Sequence, residues 1–196
     1  MLYLITNRKL IHHGTLTEVV GKATKGGVDV IILREKDLSF QELLPIAVEI
    51  KEKIKHTNTK LIVNGSMDAA RKINAHGFHC SFEFFIREEP KFNGLIGVSV
   101  HSLKEAIEAE ESGASYILAS PIFETQCKKG VEPKGIDFIK AIKKKVNIPV
   151  IGLGGINLEN GSTVIKAGAD GIAVMSAIMT SPQPYEITCK FKELLS

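Results

Sequence analysis

IPVIGLGGINLENGSTVIKAGADGIAVMSAI, residues 148–178, is the stretch whose reading decides the fold. Two apolar, largely β-branched runs, 150–153 and 172–175, each end at residues with little or no side chain. Gly154 and Gly155 follow the first, and Ser176 and Ala177 follow the second. Bare backbone at the carboxyl end of a strand, just before a helix start, leaves N–H groups aimed outward with the positive end of a helix behind them. Such a cluster is an anion site. Two of them on consecutive strand–helix units describe a phosphate grip after the seventh and eighth strands of a β/α barrel, held by Gly154, Gly155, Met175 and Ser176. The competing reading is that the glycines only permit tight turns.

The same grammar runs through the chain. KGGVDVIILRE, AHGFHCS, SGASYILAS and AGADGIAVMS each place a Gly after a helical pattern and before an apolar run. Gly just past a helix end is a C-terminal signal, and continuous apolar runs suit parallel strands buried on both faces. Thr15 with Glu18, Ser39 with Glu42 and Ser102 with Glu105 have capping-box spacing before amphipathic segments. Strands are predicted near 2–6, 28–33, 61–64, 77–80, 95–100, 115–119, 149–153 and 171–175. Helix-like segments separate most of them; the link after the fourth, 81–93, reads as weakly helical and mostly loop. Eight alternating units predict an α/β protein, a single small (β/α)8 TIM barrel over residues 1–196. A doubly wound open sheet is the alternative, disfavoured because no dinucleotide fingerprint is present.

Composition sets the outer bounds. The chain has 196 residues, 44% hydrophobic and 24% charged, room for one domain with a sizeable core. A net charge of +3 with no basic stripe argues against a nucleic-acid partner. Cys80, Cys127 and Cys189 are odd in number and far apart, which suits a reducing compartment better than a disulfide framework. The apolar start MLYLIT is too short for a signal core or a membrane span, so the expectation is a cytoplasmic protein without a membrane partner.

In such a barrel the polar residues at the strand ends carry the chemistry. Arg34, Glu35 and Lys36 end the second predicted strand, Asn64-Gly65-Ser66 the third, and Ser99 and His101 the fifth. Arg34 and Lys36, two apart, point the same way and read as ligand contacts. His101 either faces the mouth or hydrogen-bonds the loop backbone. His79, between Phe78 and Cys80, reads as a packed barrel residue, and no histidine pair has zinc spacing.

With these residues in view, the chain resembles the thiamine phosphate synthase/TenI family of small β/α barrels. The resemblance covers nearly the whole chain and rests on YLIT, ILREK, VNG, GVSVHS, PIFET with CKKG after it, IPVIGLGGI and DGIAVMSAI. It implies one of two activities: a synthase that joins a pyrimidine pyrophosphate to a thiazole phosphate with magnesium, or a TenI-type tautomerase that moves a proton to aromatise a thiazole carboxylate phosphate. It further implies a thiazole-phosphate site at Thr125, Gln126, Cys127, Gly155, Met175 and Ser176. A pyrimidine-pyrophosphate site is implied at Arg34, Lys36, Asn64, Ser99 and Lys128.

Departures from the family pattern steer the expectation. Ile32 stands where the family has a glutamine, and the two magnesium aspartates correspond to Gly65 and Phe84. Glu83 and Asp68 are the carboxylates nearest in sequence. Magnesium is commonly bound through one or two carboxylates beside substrate phosphates, so no metal and no cofactor are expected. The expected activity is therefore a thiazole tautomerase, an isomerase of thiamine biosynthesis. Its substrate is a small thiazole phosphate, and self-association is left open. Pro121 replaces the tautomerase histidine, leaving His101, Glu124 and Cys127 as candidate proton-transfer groups. The alternatives are a non-catalytic thiazole-phosphate binder or regulator, and a thiamine phosphate synthase.

Overall fold

The structure, a computed structural model, describes residues 1–125 and 130–195. Eight parallel strands pair in sequence order, and the first also pairs with the last, so the sheet closes into a barrel. They are β1 (Leu2–Ile5), β2 (Val30–Leu33), β3 (Lys60–Asn64), β4 (Gly77–Ser81), β5 (Leu95–Val100), β6 (Tyr116–Ala119), β7 (Val150–Leu153) and β8 (Gly171–Val174). Between them lie α1 (Leu16–Lys25), α2 (Phe40–Ile54), α3 (Met67–Lys72), α4 (Phe82–Glu88), α5 (Leu103–Glu111), α6 (Gly135–Lys143) and α7 (Gly161–Lys166). After β8 come α8 (Ser176–Met179) and α9 (Pro184–Leu194). The expected small (β/α)8 barrel is the observed fold.

The strand runs are apolar throughout because each strand is covered on both faces. Tyr3, Ile5, Val30, Ile32, Ile62, Tyr116, Leu118, Ile151 and Ala173 fill the barrel interior. Alternate residues such as Leu4, Ile31, Leu61, Phe78, Val98 and Ile172 face the helices. Helix starts follow the caps read from sequence. Thr15 and Ser39 each form a complete capping box with Glu18 and Glu42. At the third, Ser102 Oγ accepts from Glu105 N, but the Glu105 carboxylate reaches one residue further and accepts from His101 N at 2.6 Å.

The segment after β4 is more helical than the weakly helical, mostly loop reading expected. Ser81 caps a seven-residue helix, α4, whose Phe84 and Phe85 pack inward, and Glu89 ends it in the left-handed region at φ 40°. Its FEFFIRE sequence hides this helix, since clustered aromatics have only modest helix propensity; burial against Phe78 decides the matter. At the barrel floor, Asp29 accepts from Leu2 N and pairs with Lys192 of α9, so the last helix is tied to the first two strands.

Phe78 is fully buried and meets the rings of Phe84 and Phe92 at 6.0 and 6.5 Å. Phe78→Ala is expected to destabilise the fold by ~3–5 kcal/mol. Urea unfolding of the variant checks this, and a shift under about 1 kcal/mol would mean the surrounding shell collapses to fill the gap.

Candidate active site

Because all eight strands run the same way, their carboxyl ends gather at one mouth. On the β1–β2 side the mouth is braced by a buried carboxylate. Glu35 accepts from Thr6 Oγ1 at 2.7 Å, from the Arg8 backbone N–H at 3.1 Å and from Arg8 Nη1 at 3.1 Å. Thr6 Oγ1 in turn accepts from Arg34 N at 2.9 Å, which fixes the backbone that carries the Arg34 side chain. The Arg8 fork closes on Asp37 with two 2.8 Å bonds. Arg8 and then Lys9 hold the Asp37 carboxyl well below the usual carboxylate range. Arg34 is half-buried, whereas Lys36 sits exposed in the turn beyond it. Sequence reading missed this clamp. Its partners lie 27 to 29 positions apart, and no local pattern joins them.

On the β3–β5 side, Asn64 is half-buried and in register with His79. His79 is the packed barrel residue expected, at 2% exposure. Its Nδ1 lies 3.0 Å from the Tyr116 hydroxyl and its Nε2 lies 2.9 Å from Ser99 Oγ. Burial, with a smaller push from Arg34, lowers the imidazole pKa to about 3, so the ring is neutral. Ser99 is thereby linked to the interior as well as facing the mouth.

The β6–β8 side gives the paired glycines a physical reason. The chain leaving β6 lies directly on the end of β7: Ile122 N donates to Leu153 O at 2.9 Å and Phe123 N to Gly154 O at 3.0 Å. Gly154 and Gly155 both have positive φ, at 104° and 63°. A Cβ on Gly154 would come within 2.9 Å of Pro121, and one on Gly155 would overlap the Glu124 carbonyl. Both glycines are thus required by the approach of the neighbouring loop. Beyond β8, half-buried Met175 leads into exposed Ser176, which opens the four-residue α8 without a side-chain cap.

Two of the candidate proton-transfer groups, His101 and Glu124, lie among the described residues. His101 Nδ1 lies 2.7 Å from the Ser120 carbonyl, and the residue lines a groove of about 470 Å³ with Ser102, Leu103, Glu132, Pro133, Lys134 and Phe138. Glu124 is exposed and Thr125 half-buried on the loop after β6. Gln126, Cys127 and Lys128 lie outside the described residues.

The side chains present do not fit a carboxylate-held magnesium ion. Among the described residues no three His, Cys, Asp or Glu side chains converge. Gly65 adopts φ 79° and a Cβ there would meet nothing within 4 Å. Phe84 is turned into the aromatic contact with Phe78. Glu83 and Asp68 are exposed on the first turns of α4 and α3.

Comparison with known proteins sharpens the functional reading. The family described as thiamine monophosphate synthase (TMP-TENI) matches residues 2–178. A protein of Clostridium novyi named thiamine-phosphate synthase is 40% identical over 183 residues, 91% of this chain and 90% of that one. Its namesake in Clostridium acetobutylicum is 39% identical over 184 residues, 92% of this chain and 87% of that one. A solved thiamine phosphate pyrophosphorylase from Pyrococcus furiosus superposes with a TM-score of 0.87 at 32% identity, over 99% of this chain and 94% of that one. These likenesses correct the expectation of a thiazole tautomerase: relatives matched along almost the whole barrel carry the synthase name, not that of an isomerase. That expectation leaned on a few positions, Gly65, Phe84 and the loop after β6. The proton-transfer roles expected of His101, Glu124 and Cys127 were tied to that tautomerase reading.

Two outcomes follow from this geometry. Gly155→Ala should displace the loop after β6 and destabilise the protein by ~1–3 kcal/mol, read by urea unfolding; an unchanged midpoint would mean the loop does not pack as described. Titration of the free protein with magnesium chloride should give no saturable heat, and a dissociation constant tighter than about 1 mM would show a metal site these residues do not provide.

Proposed function

The chain belongs to the thiamine monophosphate synthase family, and we propose that it is a transferase that joins a pyrimidine pyrophosphate to a thiazole phosphate. The observation that carries this reading is the 39–40% identity to thiamine-phosphate synthases over more than nine tenths of the chain. The mouth accords with it, because it offers two separate places for anions. Arg34, its backbone fixed through Thr6 and Glu35, stands with Asn64 and Ser99 on one side. The ends of β7 and β8, with Gly154, Gly155, Met175 and Ser176, stand on the other.

The reaction breaks a carbon–oxygen bond to the pyrophosphate and forms a carbon–nitrogen bond to the thiazole. The bonding pair leaves with the pyrophosphate, so negative charge grows on its bridging oxygen. A cation and hydrogen-bond donors placed in advance around that oxygen stabilise the transition state more than the ground state. Arg34 is the cation, and the Thr6 Oγ1 bond to its backbone N–H anchors the strand end that carries it. The thiazole phosphate docks across the mouth, and bare backbone at Gly155 and Ser176 receives its phosphate. No described helix is long and apolar enough to cross a membrane, and we place the enzyme in the cytoplasm with small-molecule substrates.

Purified protein supplied with both substrates and magnesium salt should form thiamine phosphate and pyrophosphate in equal amounts, followed by chromatography. Arg34→Ala should lower kcat/KM for the pyrimidine pyrophosphate by about 10–100-fold. Folded wild-type protein that yields no thiamine phosphate would overturn the reading.

A further inference from the structure

We infer that the buried Tyr116–His79 pair fixes Ser99 as a hydrogen-bond donor toward the mouth, where its hydroxyl takes an oxygen of the pyrophosphate; this rests on the transferase reading for the identity of the ligand. Both Tyr116 and His79 are positioning residues, since they act through Ser99.

The register sets the pair up. His79 on β4 lies opposite Gly97 on β5, and Gly97 lies opposite Tyr116 on β6. These three positions form one row across the barrel wall, and the middle one has no side chain. A Cβ at Gly97 would overlap the Tyr116 ring, so the glycine opens the gap through which imidazole and phenol meet. Their rings lie 5.6 Å apart, and the Tyr3 ring meets Tyr116 at the same separation, tilted by 46°. Ser99 stands two residues beyond Gly97 on the same strand face, one layer nearer the mouth.

The direction of the hydrogen bonds follows from which groups can give and take protons. Tyr116 is 2% exposed and burial pushes its pKa up, so it remains a phenol with a proton to place. Its hydroxyl partner is His79 Nδ1 at 3.0 Å. When the phenol donates to Nδ1, the neutral imidazole carries its proton on Nε2 and donates it to Ser99 Oγ at 2.9 Å. Ser99 then uses one lone pair inward and keeps its own proton for the mouth. The opposite tautomer would point Nδ1–H at the phenol oxygen, leave the phenolic proton to the apolar barrel interior, and consume the Ser99 proton at Nε2. Ser99 would then face the mouth with lone pairs alone. Phosphate oxygens of a pyrophosphate are acceptors, so only the first arrangement helps to bind it.

The tautomer is read from long-range nitrogen–proton NMR correlations of the His79 ring in wild type and in Tyr116→Phe, which changes no volume beyond one oxygen. Wild type should show a neutral ring protonated at Nε2, and Tyr116→Phe should lose that single form. Affinity for inorganic pyrophosphate, measured by calorimetry, should fall about tenfold in Tyr116→Phe and about tenfold in Ser99→Ala. The double variant should be no weaker than Ser99→Ala alone, since both changes remove the same donor. An Nδ1-protonated ring in wild type overturns the inference, as do additive losses in the double variant or the absence of pyrophosphate binding. If wild type makes no thiamine phosphate while the tautomer and the binding cycle hold, the transferase reading fails and this inference stands.

Discussion

Closure of the sheet is the constraint on which everything else depends. β1 bonds to both β2 and β8, so no strand has a free edge and every strand runs in the same direction. A consequence is that all strand carboxyl ends open on one side. A second is that the interior must be filled by side chains from alternate strand positions, since a closed barrel of this size is a packed core. Most of that filling is aliphatic, yet three polar groups, Tyr116, His79 and Ser99, run through it as one bonded line. Buried polar groups persist only when each is paired. The line satisfies this rule from within and ends at the mouth, so interior packing and mouth chemistry share the same residues.

The glycines illustrate how one residue type answers several demands. Gly97 vacates space for a phenol ring, Gly155 lets the loop after β6 cross the end of β7, and Gly65 supports a positive φ with open space around it. Only the last fits the simple picture of a turn. At Gly154 and Gly155, the close approach of protein backbone and the exposure of backbone to a ligand are compatible. The loop covers one side of the strand end, and the carbonyl of Gly155 is taken by Asn160 Nδ2 at 2.9 Å. For the phosphate site proposed there, such a brace would reduce the ordering cost of binding.

The fold was legible because its signals are local and repeated. Gly at helix ends, capping pairs and unbroken apolar runs fall within a few residues of each other, and the eight strands lie within about two residues of their predicted bounds. The helix α4 was not legible, since its order comes from Phe78, Phe84 and Phe92 meeting across the chain. The same reason hid the Thr6–Glu35–Arg8–Asp37 clamp. Arg34 and Glu35 are neighbours in sequence with opposite fates: Arg34 is half-buried, and Glu35 is buried and bonds the end of the strand before it. Both stand at the end of the second predicted strand, and of the two the sequence reading marked only Arg34 as a ligand contact, leaving the role of Glu35 unread. His79 was legible as a packed residue, because it sits inside an apolar run; its two bonds were not, because they join β4 to β5 and β6.

On the transferase reading proposed above, electrostatics explains why Gly65 and Phe84 need not prevent the reaction. A departing pyrophosphate distributes its charge over many oxygens, so stabilisation can come from several donors, each contributing a part. On that reading the donors at this mouth are a guanidinium whose backbone is locked, a serine hydroxyl and the backbone at two strand ends. The loss of a carboxylate at Gly65 or Phe84 removes a metal ligand and also removes a negative charge from beside an anionic substrate. On the proposed reading, the first change would weaken the hold on a metal, and the second would strengthen the direct attraction of Arg34 for a pyrophosphate. Together they would shift the burden of charge stabilisation from a bound cation toward the protein's own. The barrel frame that aims those groups is the part of the molecule that its synthase relatives share along the whole chain.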